Sequence, residues 1–177
     1  TPYRYTSLSR TAEVKYSVIY NPNGGTGSMI DSKSPYSSGD KVTVLNNAFI
    51  APEGKVFAGW STDPNATTGD TVYDPGKTIS IADKNITLHA VWKDIEYSVY
   101  YYSLTGDKTA DVDTTKYAKD SPVTAEEAPI KSGYEFKGWL MYEYGDTEST
   151  PINAGGTFTM PSSDVIMIAD WKVVQSS

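Results

Sequence analysis

The sequence predicts an α+β chain, mostly β, built as two tandem domains of about 80 residues each. Three observations carry that expectation. A long internal period divides the chain, both ends of each copy alternate as strands do, and the composition is lean for one large core. Only 38% of the 177 residues are apolar, while 14 Gly, 10 Pro and 14 Tyr fit many short strands and turns.

The period is read from the tryptophans. Phe57-Ala58-Gly59-Trp60 returns as Phe136-Lys137-Gly138-Trp139, and Ala90-Val91-Trp92-Lys93 as Ala169-Asp170-Trp171-Lys172, each 79 residues on. Tyr16-Ser17-Val18-Ile19-Tyr20 returns as Tyr97-Ser98-Val99-Tyr100-Tyr101, 81 residues on. The first copy therefore holds two extra residues, expected near 46–51. The expected divisions are an N-terminal extension or linker at 1–13, a first repeat at 14–94, a second at 95–173 and a tail at 174–177.

In chain order, each repeat opens on a strand. Val14, Tyr16, Val18 and Tyr20 alternate with polar or outward positions, and Ile95, Tyr97, Val99 and Tyr101 do the same in the second copy. That face is expected in the core. One short helix per copy follows: Thr124-Ala125-Glu126-Glu127 reads as a capping box closed by Pro129, with a less distinct counterpart at 46–51. Phe57, Trp60, Phe136 and Trp139 belong to a central strand whose Gly59 or Gly138 suggests a bulge or close backbone approach. In the last strand Leu88, Ala90 and Trp92, or Met167, Ala169 and Trp171, share the core face, and His89 points the other way. Tyr100, Tyr102, Tyr142 and Tyr144 fall outside that core and are the candidate contacts for a protein or glycan.

Composition removes several chemistries. With no cysteine and a single histidine, His89, the chain supplies neither a thiolate or multi-histidine metal site nor a cysteine nucleophile. A serine triad built on His89 is disfavoured by its outward strand position, and no spacing singles out a pair of catalytic carboxylates. No enzyme activity and no cofactor are expected. Gly25-Thr26-Gly27-Ser28-Met29-Ile30 lacks the third glycine and long helix of a dinucleotide loop, so a hairpin turn is expected there; Gly54-Lys55 is likewise a turn. The loop from Asp63 to Asp70 has oxygen donors but not the order or the bidentate Glu of a calcium loop, so it reads as polar, with calcium left to experiment.

Charge is uneven. Residues 14–93 carry seven Lys and seven acids, whereas 94–177 carry six Lys and fourteen acids, a net of −8. An acidic second half repels phosphate, so nucleic acid is not expected as a partner. No apolar run approaches the roughly 20 residues of a membrane helix, so direct insertion is not expected either. The opening Thr1-Pro2-Tyr3-Arg4 is unlike a signal peptide, and a piece of a longer chain is expected.

Tyr20-Asn21-Pro22-Asn23-Gly24-Gly25, Gly59-Trp60 and Leu88-His89-Ala90-Val91-Trp92, with Gly133-Tyr134-Glu135-Phe136-Lys137-Gly138-Trp139 in the second copy, resemble the Listeria-Bacteroides repeat, or internalin B-repeat. The resemblance covers about residues 14–173. The second copy departs from it with Tyr102-Ser103-Leu104-Thr105-Gly106 in place of the Asn-Pro-Asn-Gly-Gly turn, and the first has Lys55 where an aromatic is usual. The resemblance implies a β-grasp, ubiquitin-like fold, in tandem, in secreted or surface-anchored bacterial proteins used for adhesion or as stalks. It carries no catalytic residues.

The expectation is therefore a monomeric, non-catalytic module at the bacterial surface or secreted, serving as spacer or adhesion module for a host or cell-surface protein, with glycan binding through exposed tyrosines as the alternative. Only Lys93, Asp94, Ile95 and Glu96 separate Trp92 from Tyr97, without Gly, Ser or Pro. An elongated end-to-end arrangement is expected from so short a connection.

Overall fold

The computed structural model describes residues 2–3, 11–105 and 111–175. Most of the expected N-terminal extension, the Gly106 end of the second tip and the last two residues lie outside them. The chain forms two compact units, Thr1–Lys93 and Asp94–Ser177.

Unit 1 contains β1 (Val18–Asn21), β2 (Lys41–Thr43), β3 (Lys55–Ser61), β4 (Thr78–Ser80) and β5 (Ile86–Asp94). Its main sheet runs β1-β5-β3, and β2 pairs with β4 apart from it. In unit 2 the strands are β6 (Glu96–Tyr97), β7 (Val99–Tyr102), β8 (Asp111–Val112), β9 (Tyr117–Ala118), β10 (Pro122–Thr124), β11 (Tyr134–Glu143), β12 (Thr150–Ile152), β13 (Thr157–Thr159) and β14 (Val165–Val173). Here the main sheet runs β12-β11-β14-β7-β8, with β10-β13 and β6-β9 as small pairs. In each unit the first sheet strand lies parallel to the last: β1 to β5 from Val18↔Ile86 to Asn21↔His89, and β7 to β14 from Val99↔Val165 to Tyr102↔Ile168.

The expected opening strand is broken once in each unit. Ser17 and Ser98 donate their backbone N–H to the side chains of Asn85 and Asp164, at 2.8 Å each, while their carbonyls accept from Ile86 and Val165. Before the break, Tyr16 bridges Tyr36 and Tyr97 pairs with Tyr117 in antiparallel fashion. Val14 lies before this pairing and is exposed, contrary to its expected core position.

No helix occurs among the described residues, so the α+β expectation is corrected to all-β. The backbone groups of the capping-box segment are taken by distant partners. The Ala125 N–H donates to the Gly156 carbonyl at 2.7 Å, and the Glu126 carbonyl accepts from Gly155 and from the Trp139 indole. Unit 1 repeats this with Val44 bonded to Lys77 and Gly76, and Leu45 accepting from Trp60 at 2.9 Å. These bonds extend the β2-β4 and β10-β13 ladders past their strand ends. A local helix would have to surrender them.

The two cores have matching aromatic chains. Tyr20, Trp60, Phe57 and Trp92 meet edge to face with centroids 4.8, 4.9 and 5.8 Å apart in succession. Tyr101, Trp139, Phe136 and Trp171 do so at 5.1, 5.2 and 5.4 Å. Val18, Tyr20, Trp60 and Leu88 are buried in unit 1, as are Val99, Tyr101, Trp139 and Met167 in unit 2. Tyr16, Phe57 and Trp92, and Tyr97, Phe136 and Trp171, are half-buried and pack against these. Gly138 marks a register shift in the β11-β14 ladder, and both Gly59 and Gly138 have positive φ, at 133° and 127°.

Candidate functional site

The tip beyond β1 is a clasp built from the glycine-rich run. The Gly25 N–H donates to the Pro22 carbonyl at 3.0 Å, and that carbonyl also accepts from the Trp92 indole at 2.9 Å. A Cβ on Gly25 would stand 2.7 Å from the Trp92 ring, which excludes other residues there. Asn23, at φ 45°, donates its side-chain amide to the carbonyls of Ala90 and Pro64 at 2.9 and 3.0 Å. The run is thus a turn, but not the expected hairpin: Thr26 goes on to bridge Ile50. In unit 2 the Trp171 indole reaches the Ser103 carbonyl at 2.7 Å, and Leu104 takes the positive φ, 58°.

The acids of the polar loop are engaged locally. One Asp63 carboxylate oxygen accepts from the Asn65 N–H, and one Asp70 oxygen from the Thr67 N–H and hydroxyl. These acids cap their own loop. Among the described residues no group of three or more metal-ligating side chains converges. His89 is half-buried in register with Asn21.

The structure does bring three of the four candidate tyrosines together. Register places Tyr142, Ile166, Tyr100 and Val112 in one row across β11, β14, β7 and β8. Leu140, Ile168 and Tyr102 form the next row on the same face. At about 4.8 Å between strands, the four-residue row spans about 14 Å. All but Val112 are half-buried, and Val112 is half-exposed. Tyr144 stands beyond the end of β11 and is 73% exposed, at the margin of the face. The opposite side of the same strands is the core.

Unit 1 fills the matching positions differently. Ile19 is in register with Thr87, and Asn21 with His89, where unit 2 has Tyr100 with Ile166 and Tyr102 with Ile168. Ser61 stands in place of Leu140 and Asp63 in place of Tyr142. A mostly polar outer face, with Ile19 as its apolar member, therefore suffices for this fold, and the wider apolar face in unit 2 is additional. Sequence reasoning found the tyrosines but missed Leu140, Ile166 and Ile168. The signal was available in a position-by-position comparison of the two copies.

Tyrosine hydroxyls buried on the core side have raised pKa values. Burial pushes Tyr101 up to about 12, with slight relief from the Glu126 backbone amide, and no normal hydrogen bond reaches its hydroxyl. Its counterpart Tyr20 is raised chiefly by burial and accepts the Leu45 N–H at 3.0 Å. Tyr36 is raised well above the usual phenol range by burial and by its hydrogen bond to the buried Asp31.

The Listeria-Bacteroides repeat domain matches residues 16–91 and again 97–170, and the chain belongs to that family as two tandem copies. It is 27% identical over 163 residues to a putative Gly-rich membrane protein of Evansella cellulosilytica, covering 90% of this chain and 17% of the relative. It is 31% identical over 136 residues to Internalin H of Listeria monocytogenes, covering 73% of this chain and 22% of that protein. The chain thus spans about a fifth of the length of these relatives. No solved structure matches it.

Proposed function

We propose that this chain is a non-catalytic recognition module of a bacterial cell-surface or secreted protein, in which unit 1 serves as a spacer and unit 2 presents an adhesion face to a protein partner. The family and the internalin relative support surface association. The parallel pairing of first and last strands, beside an antiparallel β11 in unit 2, is compatible with a β-grasp arrangement lacking its helix. The observation that carries the adhesion reading is the replacement of Asn21, Ser61, Asp63, Thr87 and His89 on the outer face of unit 1 by Tyr102, Leu140, Tyr142, Ile166 and Ile168 in unit 2, beside Tyr100 where unit 1 has Ile19. A contiguous, partly exposed apolar patch of this kind is characteristic of interaction sites.

The test uses the residues unit 1 already employs. A Tyr102→Asn, Ile166→Thr, Ile168→His variant of the full chain keeps its core and is expected to fold. Beads coated with the native chain should adhere to cultured cells, and beads coated with the variant should not. Equal adhesion by the folded variant would defeat the reading. A glycan-array signal abolished by Tyr100→Ala or Tyr102→Ala would instead favour a sugar as occupant.

A further inference from the structure

Asn23-Gly24 is the chain's only Asn-Gly pair, and its asparagine is held in a way that bears on its chemistry. Asparagine before glycine is prone to lose ammonia, because an unhindered glycine nitrogen can attack the side-chain carbonyl carbon. A carbon–nitrogen bond forms to the Gly24 nitrogen, the Cγ–Nδ2 bond breaks, ammonia departs, and water then opens the cyclic imide to aspartate or isoaspartate. Glycine supplies the least steric hindrance of any following residue.

The fold opposes the departure of ammonia. The Asn23 Nδ2 donates to both the Ala90 carbonyl at 2.9 Å and the Pro64 carbonyl at 3.0 Å, and the Asn23 N–H is held by the Asn21 side chain at 2.7 Å. Departure of Nδ2 as ammonia requires the loss of both side-chain bonds. The product is also incompatible with the site, since a carboxylate there would face two carbonyl oxygens with no proton to offer. Unit 2 has Leu104 at the matching position and no such carboxamide.

We propose that Asn23-Gly24 is a self-modification site gated by the folding of unit 1: protected in the native unit, deamidated when the tip opens, and thereafter unable to close the clasp. Unit 1 then carries an irreversible chemical record of its own opening, which unit 2 lacks.

The full chain is incubated at mildly alkaline pH in buffer and in urea, and the Asn23 peptide is assayed for the mass gain of deamidation and for isoaspartate. A short peptide of the same local sequence, run in both solvents, corrects for urea itself. Native protein should react at least about ten-fold more slowly than unfolded chain, the factor expected when reaction requires an opening that breaks two hydrogen bonds. Equal corrected rates would overturn the gating. Separately, Asn23→Asp should lower the unfolding midpoint of unit 1 and leave unit 2 unchanged, and native-like stability in that variant would overturn the clasp. Should Asn23→Asp fail to fold, Asn23→Gly keeps the turn conformation without the carboxamide and must also destabilise unit 1 alone.

Discussion

Two loops in matching places show how the units diverged. After β3, unit 1 sends a long loop far enough for the Pro64 carbonyl to reach Asn23 beyond β1, with Asn23 also tied to Ala90 of β5. Ser61 and Val91 are both buried there. Unit 2 turns more tightly from β11 into β12, and Asp170, the counterpart of Val91, is exposed. One unit covers part of its outer face, whereas the other leaves an apolar face open beside an exposed carboxylate. The core is the shared element: Trp60 and Trp139, or Trp92 and Trp171, make the same indole bonds to equivalent backbone carbonyls. Conservation of the inside leaves the outside free to specialise.

If the cores are equivalent and separate, their largest residues should be equally and separately essential. Trp60→Ala and Trp139→Ala should each cost about 3 to 5 kcal/mol, confined to the altered unit. Urea unfolding followed by the remaining tryptophans measures this, and loss of both transitions from one substitution would break the comparison.

The central glycines should be unequal. A Cβ on Gly59 would sit 2.1 Å from Val72 Cγ1, but on Gly138 only 3.2 Å from the Ile152 carbonyl oxygen. Both positions have positive φ. Gly59→Ala should therefore cost about 3 kcal/mol and Gly138→Ala about 1 to 2, with similar midpoints for the two variants counting against the difference in packing.

The tips should respond in opposite directions. Leu104 is a bulky residue in a left-handed conformation that Asn23 tolerates better, so Leu104→Asn should stabilise unit 2 by about 1 kcal/mol. A thermal scan showing lower stability would mean that Leu104 contributes contacts outweighing its backbone strain.

The smallest contrast concerns one hydroxyl. Tyr20→Phe removes the acceptor for the Leu45 N–H and should cost about 1 kcal/mol, while Tyr101→Phe removes a hydroxyl without a normal partner and should be neutral or stabilising. The folded pKa of Tyr101 is raised from 10.0 to about 12, so its contribution to stability is intact below the lower value and is lost as pH rises toward the higher. Tyr101→Phe should make unit 2 less sensitive to alkali across that window, as followed by fluorescence. An unchanged alkaline transition would assign that sensitivity elsewhere.

The sequence made the repeated core readable because its signals are bulky and occur twice: Trp60 with Trp139, Trp92 with Trp171, and a glycine immediately before both Trp60 and Trp139. The expected helix does not form because Thr124 to Glu127 satisfies only a local capping rule, while the partners that claim its backbone, Gly155 and Gly156, lie far along the chain. The outer face was only partly legible. Tyrosines attract notice as contact residues, but Ile166 and Ile168 alternate with core positions and look like ordinary strand residues until Thr87 and His89 are set beside them. Buried partnerships such as Tyr36 with Asp31 and Tyr117 with Asp113 depend on tertiary proximity and leave no periodic trace.

The parallel pairing of first and last strands also governs how each unit bears force. Tension on the two ends of a unit pulls β1 and β5, or β7 and β14, past one another along their length. The four register pairs joining each couple are then loaded together in shear, instead of being peeled apart in turn. A tether anchored at one end and held by a bound partner at the other would meet its main mechanical resistance in these two short ladders.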